Sequence, residues 1–236
     1  MEKTSRSEGE GAEAKLHRWR IEPREYARQE ERRGKRHAFQ HLVPTRTALV
    51  VIDMVKFFVA QNAYCRGIVP NIAKLANGLR ATGGTVAWTV PASEQRHPAL
   101  AGEFFGEEIA ELYRFSGGSG PLKDRIWPAC RVHEADMLVE KRQFSAFFPG
   151  SSALPSRLEA RGIDTVIVTG TVTNICCESS ARDANALGLR VIMVADANAA
   201  RRDEDHNATL YNIYRTFGDV RTTLEVLDLI AGRPQA

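Results

Sequence analysis

No stretch of the chain approaches the roughly 20 consecutive apolar residues that span a bilayer, so no membrane-spanning segment is expected. The first ten residues, Met1-Glu-Lys-Thr-Ser-Arg-Ser-Glu-Gly-Glu10, hold no apolar leader, which argues against a secretory signal. Cysteine is scarce as well: Cys65, Cys130, Cys176 and Cys177 form no CxxC pair and no repeated spacing, so neither a disulfide framework nor a zinc ribbon is expected. Reduced thiols in a cytoplasmic protein follow. A strong excess of charge is also missing. Residues 1–46 carry a net +4 and the remainder −1, so the body is near neutral and lacks the basic face of a nucleic-acid-binding fold.

What is present suits a soluble globular protein: 236 residues, 43% apolar and 26% charged. Residues 1–44 form a charged arm, partly disordered or docked on the body or on a second subunit. It holds a helix starting at Pro23 and three anchoring aromatics, Trp19, Tyr26 and Phe39. From residue 45 to 236 short apolar runs alternate with helical patterns. Ala48–Ile52, Thr85–Val90, Asp136–Lys141, Thr165–Val168 and Arg190–Ala195 read as strands. Asn71–Thr82, Phe104–Tyr113, Ser151–Arg161, Cys176–Leu187, Glu204–Phe217 and Thr222–Ile230 read as helices. Strands apolar throughout and separated by helices predict an α/β fold, a Rossmann-like three-layer sandwich around a mainly parallel sheet.

In such sheets chemistry collects at the carboxyl ends of the strands. Asp53 follows the first strand, Lys141 ends the third, and Cys176 lies just past the fourth. Each alone has a bland reading: a turn residue, a solvated charge, a small buried hydrophobe. Together they suit nucleophilic attack on a carbonyl, with Cys176 as nucleophile, Asp53 as base and Lys141 as electrostatic partner. A helix opening on Cys176 would favour the thiolate through its free N–H groups and its dipole.

The stretch Gly170-Thr-Val-Thr-Asn-Ile-Cys-Cys-Glu-Ser-Ser-Ala-Arg-Asp-Ala184 resembles the nucleophile motif of the isochorismatase-like cysteine hydrolases. Ala48-Leu-Val-Val-Ile-Asp-Met54 resembles that superfamily's aspartate segment, and Lys141-Arg-Gln-Phe-Ser-Ala-Phe-Phe148 its lysine segment. Asp196-Ala-Asn-Ala199 and His206 fit its later pattern. The resemblance covers roughly residues 45–230. It implies the triad Asp53, Lys141 and Cys176, an oxyanion hole from the Val172 and Cys176 amides, and a cis peptide at Val172–Thr173. The Thr-Asn-x-Cys spacing selects Cys176 over Cys177, which is expected to pack against the sheet.

The implied activity is cysteine-dependent hydrolysis of an amide, lactam or ureido C–N bond in a small molecule, through a thioester and without a cofactor. The superfamily includes nicotinamidases, ureidoacrylate amidohydrolases, N-carbamoylsarcosine amidases, biuret hydrolases and streptothricin hydrolases. The usual Gln-x-x-Phe after the aspartate is replaced by Met54-Val-Lys-Phe-Phe58. The metal-ligand spacing of nicotinamidases is not reproduced around His97, so no metal is expected. Possession of Cys176 argues against vinyl-ether hydrolysis. Phe58, Trp88, Trp127, Phe144 and Phe147 are the pocket candidates. A homodimer or homotetramer is implied. The narrower alternatives are a streptothricin-type lactam hydrolase and a nicotinamidase- or ureidoacrylate-type amidase, and the rival class is a non-catalytic binding protein on the same fold.

Overall fold

The computed structural model describes residues 13–93 and 98–233. After an extended lead, α1 (Pro23–Arg33) precedes β1 (Thr47–Ile52), α2 (Lys56–Gln61), α3 (Ala63–Ala81) and β2 (Thr85–Pro91). Next come α4 (Pro98–Phe105), α5 (Glu107–Arg114), α6 (Leu122–Arg125), β3 (Met137–Lys141), α7 (Leu154–Glu159) and β4 (Thr165–Thr171). The chain ends with α8 (Glu178–Ala186), β5 (Arg190–Ala199), α9 (Asp203–Asn212), β6 (Asp219–Arg221) and α10 (Thr223–Ile230).

The six strands form one sheet in the order β3-β2-β1-β4-β5-β6, with every neighbouring pair parallel. Because β1 and β4 have no exposed face, their sequences are apolar at successive positions rather than alternating. One apolar layer packs Val50, Ile52, Val166 and Val168 against residues of α7, α8 and α9. The other packs Leu49, Val51, Ile167 and Ile192 against α3 and α10. The order reverses direction between β1 and β4, which makes a crevice at their carboxyl ends. Gly170 is required there: its φ is +114°, and a Cβ would collide with the Ile52 carbonyl of the adjacent strand.

Four elements depart from the sequence reading. β5 extends through Asp196 and Asn198, because Thr223 satisfies the first and the Asn198 amide donates to the Val168 and Val194 carbonyls. β6 has no apolar run to announce it. The helix expected over Phe104–Tyr113 is broken at Gly106, whose φ of 81° is left-handed. The helix expected from Cys176 begins one element later, since Thr173–Cys177 forms a wide π-type turn ahead of α8.

Three pocket candidates belong to the core instead. Trp88 is buried within β2, where its ring N–H donates to Asp136 at 2.8 Å. Phe147 is 1% exposed and packs in the layer with Ala146 and Leu154. Trp127 lies against the opposite layer and its backbone N–H donates to the Met54 carbonyl. Trp88 sits inside a strand, Phe147 on the loop after β3 and half-buried Trp127 after α6, and apolar burial holds each against the core. Phe147→Ala is therefore expected to cost about 3–5 kcal/mol of stability, measured by urea denaturation.

Residues 13–44 run over the body. Asp219 accepts the Ala38 and Phe39 backbone N–H groups, Arg221 donates to the Phe39 carbonyl, and Ile21 enters the core layer. The part of the arm expected to be disordered includes residues 1–12, which lie outside the described residues.

Candidate active site

The end of β1 turns sharply. Asp53 adopts a left-handed φ of 52°, its N–H donates to the Thr89 carbonyl, and its carbonyl accepts from Val55. This directs its carboxylate across the carboxyl end of the sheet. There Lys141, the last residue of β3, places Nζ 2.8 Å from Asp53 Oδ2. The same ammonium lies 3.6 Å from Cys176 Sγ and donates to the Gln143 carbonyl at 3.1 Å. Thr89 Oγ1 donates to the other carboxylate oxygen at 3.4 Å. Asp53 and Cys176 lie close enough for each to act on the other's ionisation. Three residues from three separate strand ends thus converge on one sulfur.

Cys176 is held by the π-type turn, in which the Ile175 and Cys177 N–H groups both donate to the Val172 carbonyl. The cis peptide bond lies between Thr171 and Val172, not at Val172–Thr173. β4 runs through Thr171 and the turn takes over at Thr173, so the reversal falls one bond earlier than expected. Cys177 is fully buried against the sheet.

Burial and charge act in opposite directions on the expected thiolate. Burial pushes the Cys176 thiol up to about 12, the Lys141 ammonium pulling against it and the Asp53 carboxylate adding to it. Burial likewise raises Asp53 above the ordinary carboxylate range, opposed by Lys141. For Lys141, burial works to lower the pKa, but Asp53 and Cys176 outweigh it and keep the ammonium charged. Burial thus opposes the ionised forms of both Cys176 and Asp53, and the Lys141 ammonium between them favours both. A helix-end effect worth about 0.3–1 kcal/mol cannot offset the desolvation of a buried thiolate beside a carboxylate.

Cys176 and Lys141 open onto a cavity of about 1430 Å³. Phe58 and Phe144 line it together with Phe57, and they are joined by Tyr64, Phe104 and Phe105, which sequence reasoning did not select. The cavity also takes Lys15 from the arm, together with Arg66, Arg142 and Arg201. Asp205 is the one carboxylate among the described lining residues, and it is paired with Arg202 at 2.7 Å. Among the described residues no three His, Cys, Asp or Glu side chains are grouped to hold a metal ion. His97 lies outside the described residues.

The isochorismatase domain model matches residues 47–225. An uncharacterized isochorismatase family protein of Bacillus subtilis, YwoC, is 36% identical over 188 residues, spanning 78% of this chain and 94% of that protein. The ureidoacrylate amidohydrolase RutB of Rhizobium rhizogenes is 30% identical over 203 residues, spanning 77% of this chain and 82% of its own length. The crystal structure of a cysteine hydrolase from Pseudomonas syringae pv. phaseolicola superposes with a TM-score of 0.71 at 29% identity, covering 83% of this chain and 97% of that one. With the matched domain spanning every strand of the sheet and all three converging side chains, the chain belongs to the isochorismatase family.

Proposed function

We propose that the protein is a cysteine amidohydrolase that cleaves a non-peptide C–N bond in a small, anionic amide or ureido compound. One observation carries the reading: a carboxylate and an ammonium meet a thiol at the floor of a cavity. No structural need for such a group of charges is evident, and burying them is costly.

In this reading Cys176 Sγ attacks the substrate carbonyl carbon while its proton passes to Asp53. Lys141 keeps the carboxylate placed and offsets the negative charge at the reacting centre. The tetrahedral oxyanion takes hydrogen bonds from the Val172 and Cys176 amides. Collapse breaks the C–N bond, and Asp53 returns its proton to the departing nitrogen. Water then attacks the thioester carbonyl, giving one proton to Asp53. The C–S bond breaks, the acid departs, and Asp53 reprotonates the sulfur. Because the resting sulfur is a thiol, proton transfer to Asp53 and attack are coupled.

The cavity's charge favours a substrate bearing a carboxylate. Lys15, Arg66, Arg142 and Arg201 border it, with Asp205 the one carboxylate among the described lining residues, and such a site concentrates anions. A neutral pyridine amide or a cationic lactam meets no such complement. The similarity to a ureidoacrylate amidohydrolase supports the same class.

The test pairs open-chain amido and ureido acids with their neutral methyl esters and follows amine or ammonia release. The acids are expected to give kcat/KM at least about tenfold higher, equivalent to about 1.4 kcal/mol. Preference for the esters would overturn the anionic reading. Release from no compound, with lactams included, would overturn amide hydrolysis and favour a binding protein.

A further inference from the structure

The arm upstream of the matched domain reaches the nucleophile turn through a single buried ring. Lys15 N–H donates to the Ala63 carbonyl, and its own carbonyl lies so close to α3 that only a residue without a Cβ fits at position 67. Two residues on, the His17 side chain is 1% exposed. Its Nδ1 is 2.7 Å from Asp203 Oδ1, and its Nε2 accepts the Ala200 N–H at 2.9 Å. With Nε2 accepting, the ring proton sits on Nδ1 and is donated to Asp203. Beyond it, Arg20 N–H donates to Asn207, whose amide donates back to the Arg18 carbonyl.

The ring is the middle member of a three-layer stack. Tyr64 lies 3.7 Å away on one face at 12°, and His206 lies 4.3 Å away on the other at 13°. His206 is fully buried, and its Nδ1 is 3.0 Å from Thr173 Oγ1. Thr173 opens the turn that carries Cys176. Tyr64, Arg201 and Asp205 line the cavity, so His17 touches one wall, ties down both ends of Ala200–Asp203, and backs the turn itself. Burial lowers the pKa of both imidazoles, His206 to about 3, so the stack is one of neutral rings.

We propose that His17 is a positioning residue for the Cys176 turn: stacked on His206 and hydrogen-bonded to Ala200 and Asp203, it makes the N-terminal arm part of the active site. This rests on the reading of Cys176 as the nucleophile. Without the ring, His206, which bonds Thr173, loses a stacked face, and the Ala200 N–H and the Asp203 carboxylate lose a partner.

The test compares the full-length protein with His17→Ala and His17→Phe. Turnover of an amide acid that the wild type hydrolyses is measured, and iodoacetamide modification of Cys176 is followed by mass spectrometry. Circular dichroism at the assay temperature reports folding. His17→Ala is expected to stay folded while kcat and the alkylation rate fall about ten- to a hundredfold, with KM moving less than about twofold and added imidazole restoring part of the loss. His17→Phe keeps a stacked ring without its hydrogen bonds and should fall between. Wild-type kcat and alkylation in folded His17→Ala would overturn the proposal, as would losses that only track unfolding without imidazole rescue. Should His17→Ala fail to fold, folded His17→Phe with wild-type rates overturns it equally. Alkylation needs no substrate, so a wild type that hydrolyses nothing defeats the amidohydrolase reading while His17 is still judged.

Discussion

Cys176→Ala is expected to lower amide turnover by at least roughly 10⁴-fold while leaving the fold intact. The removed sulfur forms the bond to the substrate carbon in the proposed reaction, and no neighbouring group can take its place. Cys177, one residue on, is sealed against the sheet and points away from the cavity. The structural cost should be small, because the lost contacts are few and the Asp53–Lys141 pair, 2.8 Å apart, survives without the thiol. Cys177→Ala is the matched control: activity persists. Steady-state rates, with circular dichroism melts on both variants, check this pair.

Asp53→Asn should show the next largest effect and a different signature. The amide cannot accept the thiol proton, so kcat falls by roughly 10²–10⁴-fold. It also strips the buried Lys141 of its counter-charge, and breaking a buried pair on one side costs about 3–5 kcal/mol. Loss of activity and a lower denaturation midpoint are thus expected together, unlike Cys176→Ala. The wild-type pH profile carries the same argument. Activity needs Asp53 ionised, and burial raises its pKa above the ordinary carboxylate range. The acid limb should therefore set in at higher pH than for an exposed aspartate, with activity lost as pH falls through that raised value. A limb at the ordinary carboxylate position would contradict it.

The convergence of Asp53, Lys141 and Cys176 was legible because these residues follow strands that are themselves legible. β1 and β4 are buried on both faces, so their apolar runs are unbroken and their ends sharp. β6 was not, because Asp219 and Arg221 are satisfied by Ala38, Phe39 and the Phe39 carbonyl, some 180 residues earlier. No local pattern records such a partner. The aromatics failed for a related reason: Phe144 faces the cavity while Phe147, three residues on, fills the core, and only the turn between them decides. Helix position is visible in a sequence and desolvation is not, so the burial that raises the Cys176 thiol left no mark there. His17 sat in a basic arm with nothing nearby to mark it, since its partners Asp203 and His206 come from the far end of the chain.

The most direct measurement is acid quenching during turnover of an amide acid, followed by intact-mass and peptide mass spectrometry. A covalent adduct with the mass of the substrate's acyl portion, mapped to Cys176, is predicted. Amine release with no adduct on Cys176 in single-turnover quenches, or with the adduct on another residue, would contradict it.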